Sequence, residues 1–231
     1  MRKKTYITVI VLLLTLNAFS QDNLWYEKNF SAYKTFFYNE YGIDYTIPPK
    51  VKDLDKFYVL WKVRKEDSKH SGNMHGPIFL SKDKECILAY PANLNHKLND
   101  DHRIISQISI ITAEIKTSLG LYYHHGSSLN NDTTKLDIYD YVTIIAGKMA
   151  REMFNADSIF IYDLPNADSV YFFDESLENM RKEKYPYCSG MLIYKNNRPT
   201  MNIKFFFSEK GYIKRSQYFE MLSKHIWYVD K

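Results

Sequence analysis

Two β-rich runs, Tyr187–Tyr194 and Met201–Phe207, bracket the turn-forming segment Lys195-Asn-Asn-Arg-Pro-Thr. Strand-forming runs joined by such residues read as a hairpin. A hairpin commits its strands to antiparallel pairing, so no wholly parallel sheet can contain it. The elements around it mix helix and strand. Phe30, Tyr33, Phe37 and Tyr41 recur at helical spacing through Asn29–Tyr41, and Gly42 is a natural stop. Ile43–Ile47 alternates as a short strand closed by Pro48-Pro49. Phe57, Val59, Trp61 and Val63 share a strand face, and Lys65–Gly76 reads as a polar loop. Strands follow at Pro77–Leu80 and Cys86–Tyr90.

Ile104, Ile108, Ile111 and Ile115 mark one face of a helix that Asp100 or Asp101 can cap. After a polar linker, Gly120–Thr134, the spacing predicts a long helix over Asp137–Phe154, lined by Ile138, Tyr141, Val142, Ile145, Met149 and Met153. A buried strand starts at Ser158 and stops before Pro165, and Val170–Phe173 is a candidate for another. Glu178–Lys184 reads as a solvated turn or helical piece. Ser216 is expected to cap a last helix, Gln217–Trp227, with Phe219, Leu222, Ser223 and Ile226 inward. These elements predict an α+β fold: an antiparallel sheet covered by helices, with a C-terminal β-hairpin followed by a closing helix. A doubly wound parallel sheet is the second choice, because the βαβ alternation is too irregular.

The N-terminus reads as an export signal. Arg2, Lys3 and Lys4 precede the apolar run Ile7–Leu16, and Ala18 and Ser20 match a small-residue cleavage site before Gln21. That run is too short to span a bilayer as a helix, which takes roughly 20 residues. An uncleaved membrane anchor is the competing reading. A bacterial lipoprotein would need a Cys where Gln21 stands. The expected organisation is a signal peptide over 1–20 and a single domain over 21–231, periplasmic or extracellular and not inserted in a membrane after cleavage. The leader accounts for most of the formal charge of +4. Without its three basic residues the chain holds 28 Lys+Arg against 27 Asp+Glu, which gives no support for nucleic-acid binding.

Cys86 and Cys188 are the two cysteines, and in an exported protein two can pair. Two separately buried thiols are the other state, and geometry decides between them. Twenty Tyr and fourteen Phe make the chain aromatic-rich. Such residues suit half-buried sheet positions, or a face that meets a sugar, a lipid or a protein.

Motifs for catalysis are sparse. His70, His75, His96, His102, His124 and His125 form no H-E-x-x-H, and there is no C-x-x-C or EF-hand loop, so no metal or cofactor site is expected. No G-x-S-x-G or phosphate loop occurs, and Ser81-Lys-Asp-Lys has no partner motif. Glu114, Glu152, Asp157 and Asp163 are available as acids, but spacing does not distinguish any of them. Asn155-Ala-Asp157 is either a ligand-contacting turn or a left-handed helix cap. Lys195, Arg198 and Lys204 either steer an anionic partner or simply solvate the hairpin tip. Asn131-Asp-Thr133 would be glycosylated only in a eukaryotic secretory route.

The order of elements resembles the PsbP-like superfamily. Tyr45-Thr-Ile-Pro, the hairpin around Asn196-Asn197 and the segment Phe219–Trp227 carry the resemblance, over about half of the mature chain. It implies a role as a binding or assembly adaptor. The expected function is therefore a non-enzymatic envelope or secreted protein that binds a partner protein or an apolar or sugar-like ligand. The alternative is a hydrolase acting on envelope or extracellular polymers. Carboxylates or histidines converging in a pocket would favour the hydrolase.

Overall fold

The computed structural model describes residues 24–26, 30–54, 59–61, 76–90, 103–120, 140–166 and 175–230. The expected leader over 1–20, Lys65–His75, Asp100 and Asp101, Leu121–Thr134, Val170–Phe173 and the six histidines considered as ligands lie outside them. The expected hairpin is present. Strands β9 (Tyr187–Tyr194) and β10 (Met201–Phe207) pair antiparallel, with Lys204 opposite Gly190 and Phe206 opposite Cys188. They occupy the middle of a seven-stranded sheet.

That sheet runs in the order β3-β5-β6-β10-β9-β8-β7. Its other strands are β3 (Lys52–Asp53), β5 (Ile78–Leu80), β6 (Cys86–Ala89), β7 (Val142–Ala146) and β8 (Ser158–Leu164). Every pairing in it is antiparallel. Two smaller antiparallel pairs join β1 (Leu24–Tyr26) to β4 (Val59–Trp61) and β2 (Ile43–Tyr45) to β11 (Ile226–Tyr228).

Both faces of the sheet are covered because its strands are apolar on both sides. Met201, Ile203, Phe205 and Phe207 of β10 enter one core with Ile159 of β8 and Met191 and Ile193 of β9. That core is closed by α1 (Phe30–Tyr41), α3 (Lys148–Phe154) and α6 (Arg215–Ser223), together with β2 and β11. The alternate residues Phe206, Leu192, Phe160 and Tyr162 enter a second core against Ile111 and Ile115 of α2 (Arg103–Ser118). Leu177 and Met180 of α4 (Glu175–Lys184) pack against the same core. The fold is thus α+β, an antiparallel sheet with helices on both faces. After the hairpin come two short helices, α5 (Glu209–Ile213) and α6, and then β11.

The aromatic stripe of α1 is buried as its spacing predicts. Tyr33 and Phe37 are fully buried, and Tyr45 of β2 meets Phe37 edge to face with centroids 5.2 Å apart. Gly42 ends the helix with φ +65°, a conformation that favours glycine. Asn155 takes the left-handed cap of α3, and its Nδ2 donates to the Tyr228 carbonyl at 2.8 Å, which ties the C-terminal strand to this helix.

Two expected helices are corrected. Asp137–Phe154 is not one helix: Val142–Ala146 is strand β7, and among the described residues of this stretch the α-helix is Lys148–Phe154. Gly147, at φ +67°, separates the two. The β-branched run Val-Thr-Ile-Ile pairs with β8 instead of coiling, with Ile144 opposite Phe160. The last helix stops at Ser223, and Ile226–Tyr228 is a strand because β2 offers it a partner. Ser216 caps nothing there. The capping serine is Ser208, which accepts from the Gly211 N–H at the start of α5.

The two edges of the large sheet are unlike. At one end β3 is only two residues long, both of them charged. At the other, β7 is five residues without a charge, and Thr143, Ile144 and Ala146 are exposed. Among the described residues no helix is long and apolar enough to cross a membrane.

Candidate functional site

Glu114 and Asp163, two of the four acids that spacing could not tell apart, are each the hub of a polar cluster. Glu114 projects from α2 onto the sheet. There it meets three polar side chains in an otherwise apolar layer: Tyr162 of β8 and Asn202 and Lys204 of β10. Lys204 is only 5% exposed. Its ammonium group is bonded to the Glu114 carboxylate, donates to the Tyr162 hydroxyl at 3.0 Å and donates to Asn202 Oδ1 at 3.1 Å. Asn202 Nδ2 donates to the other Glu114 oxygen at 3.0 Å, and the Tyr162 hydroxyl donates to Glu114 Oε2 at 2.5 Å.

A lysine has three N–H donors, and all three are used. Burial, followed by the neighbouring Glu114 charge, pushes the Tyr162 hydroxyl well above its ordinary range, so the phenol stays protonated. The cluster satisfies itself and pins α2 to the sheet. Its lysine has no spare donor for a substrate.

Asp163 lies one residue further along β8 and therefore on the opposite face. Ser189 Oγ of β9 donates to its Oδ1 at 2.5 Å, and the Tyr212 hydroxyl of α5 donates to its Oδ2 at 2.7 Å. Arg215 approaches the same oxygen at 3.7 Å. These contacts hold an aromatic stack. Tyr187 stacks on Tyr212 with centroids 4.8 Å apart and planes 19° apart. The Arg215 guanidinium sits over the Tyr212 ring, 4.3 Å from its centroid. Tyr212 thus meets both the Tyr187 ring and the Arg215 guanidinium. Burial and the Asp163 hydrogen bond raise the Tyr212 pKa, which keeps its hydroxyl a donor.

Unlike the Lys204 cluster, this stack reaches solvent. Tyr187 is 40% exposed, and the neighbouring Ile213 is 79% exposed. A rigid tyrosine pair with an anchored arginine is suited to recognition: it offers a flat apolar surface, a hydroxyl-bearing rim and a fixed positive charge. Neither Tyr187 nor Tyr212 was singled out in the sequence. They stand 25 positions apart, and no local pattern links them.

The remaining candidates have structural roles. Asp157 Oδ2 accepts the Asn196 N–H at 2.7 Å and closes the hairpin tip, and Glu152 forms an exposed pair with Lys148. Lys195 binds Asp230 at 2.9 Å and Arg198 donates to the Val229 carbonyl at 3.3 Å, so with Lys204 buried the three basic residues of the hairpin all have partners inside the molecule. The two thiols are free and buried. Cys86 faces the core under α1 and Cys188 the core under α2, with β10 between their strands. Strands two apart are separated by roughly 9.5 Å, beyond the reach of a disulfide. Burial raises the Cys86 thiol well above its usual range and pushes Cys188 up to about 12. Among the described residues no group of three or more His, Cys, Asp or Glu is placed to hold a metal ion.

No protein-family model, curated protein or solved structure matches the chain.

Proposed function

We propose that this chain is an exported, non-enzymatic protein that binds its partner through the Tyr187–Tyr212–Arg215 surface. One observation carries the reading: an exposed aromatic stack is held in place by the half-buried Asp163 carboxylate, which accepts from Tyr212 and lies beside Arg215. Rigid tyrosines lose little entropy on binding, and Tyr and Arg are the residues that most often dominate contact energies. A hydrolase of the glycosidase kind needs two carboxylates facing one substrate. Glu114 and Asp163 sit on opposite faces of the sheet, and the cationic group beside Glu114 has no free donor. The export leader and the PsbP-like order of elements point to the same kind of role, an adaptor working outside the cytoplasm.

The test is affinity capture with the tagged, processed protein from envelope extract, with mass spectrometry of proteins and small molecules. A stoichiometric partner is expected with the wild type and should be lost with Tyr187→Ala at unchanged circular dichroism. Intact mass should place the N-terminus at Gln21. Recovery of a cleaved polymer fragment, or equal capture by Tyr187→Ala, would overturn the reading.

A further inference from the structure

The edge strand β7 lacks the devices that usually protect a sheet edge. Such strands are blunted by charge, proline, a bulge or shortness. The segment Tyr141–Gly147 contains no charged residue and no proline. Tyr141, Ile144 and Met149 are 36%, 45% and 58% exposed, and they crowd into nine positions along this edge. Among the described residues β7 pairs only with β8.

The charges flanking the strand are of opposite sign. Asp140 precedes it and Lys148 follows it, and both are exposed. Lys148 occupies the first position of α3, the end of a helix where a cation is least favoured. We propose that β7 is a homodimer interface, in which two copies of this chain pair β7 to β7 antiparallel across a two-fold axis near Ile144.

Three features select a second copy as the occupant. The uncharged strand brings no like charges together when it meets itself. Antiparallel pairing continues the geometry of the whole sheet. It also sets Asp140 of one copy beside Lys148 of the other, twice, whereas parallel pairing would set Asp140 against Asp140. The exposed Tyr141 and Met149 widen the contact beyond the five ladder residues.

Sedimentation velocity on the full chain as purified from its host provides the test. The wild type is expected to be a dimer. Ile144→Lys should weaken association at least about 100-fold, with unchanged circular dichroism. Asp140→Lys and Lys148→Asp should each weaken it, and the double reversal Asp140→Lys/Lys148→Asp should restore the dimer. These exposed positions keep the test valid if Ile144→Lys fails to fold. A wild type that stays monomeric at ~100 µM overturns the proposal. So does a dimer indifferent to these changes, a double reversal that restores nothing, or an edge that captures extended peptides in place of its own copy.

Discussion

A β-carbon at position 190 would lie 2.3 Å from Cζ of Tyr162. Glycine there lets the Tyr162 ring lie across β9 so that its hydroxyl reaches Lys204 one strand further on. The ring has nowhere to retreat, being buried and bonded at its tip to Glu114. Gly190→Ala should therefore destabilise the protein by about 2–4 kcal/mol, through overpacking and loss of the polar contacts together. Chemical denaturation would measure it. Gly120→Ala is the control for added bulk, since a β-carbon there meets nothing within 4 Å, although its φ of +71° carries its own cost. Position 190 was not legible from sequence: Cys188-Ser-Gly-Met reads as an ordinary strand, and the need for glycine comes from a ring on a neighbouring strand.

At the level of elements, α2 is fastened to the sheet through the bond between Glu114 and Lys204, its one charged contact with β10. Removing Lys204 leaves the partly buried Glu114 carboxylate with only neutral donors, while removing both charges removes the need for pairing. Lys204→Met alone should cost about 2–3 kcal/mol, and Glu114→Gln/Lys204→Met should cost less than the sum of the single changes. A double-mutant cycle in urea reads that coupling directly. The hairpin, α1 and α2 were legible because their signals are local: turn residues, an aromatic stripe, an isoleucine stripe. Strand β7 was not. Val142, Ile145, Met149 and Met153 satisfy a helical period by coincidence, and pairing with β8 outweighed it. Ile226–Tyr228 likewise became a strand because β2 lay alongside it, some 180 residues away in sequence. The hubs at Glu114 and Asp163 depend on register between distant strands, which no spacing rule reports.

Across the whole molecule, the β5–β6 turn is clasped by segments from the C-terminal half. Lys214 meets Asp83 at 2.5 Å, the Tyr218 hydroxyl donates to it at 2.8 Å, and Ser81 Oγ donates at 2.6 Å. Burial opposes the Asp83 charge, but these bonds prevail and hold its carboxyl well below the usual carboxylate range. A carboxylate whose pKa is depressed by folding stabilises fully above its unfolded value, near 3.9, and loses that contribution as the pH falls towards the folded value. Stability should thus decline below about pH 4, and Asp83→Asn should flatten that decline. At pH 7 the same change should cost only about 1 kcal/mol, since the side chain is 41% exposed and screened by solvent. Urea midpoints at pH 7 and at about pH 3 would separate the two effects.

The unequal edges of the large sheet carry a consequence for growth. A ribbon that can be extended from both sides has no natural end. Here β3 is too short and too charged to template another strand, whereas β7 is long enough and bare. When two copies join through β7, only the two blunt margins remain outermost, and accretion stops after one step. The same asymmetry that makes the molecule sticky also makes the product finite, a pair instead of a fibre.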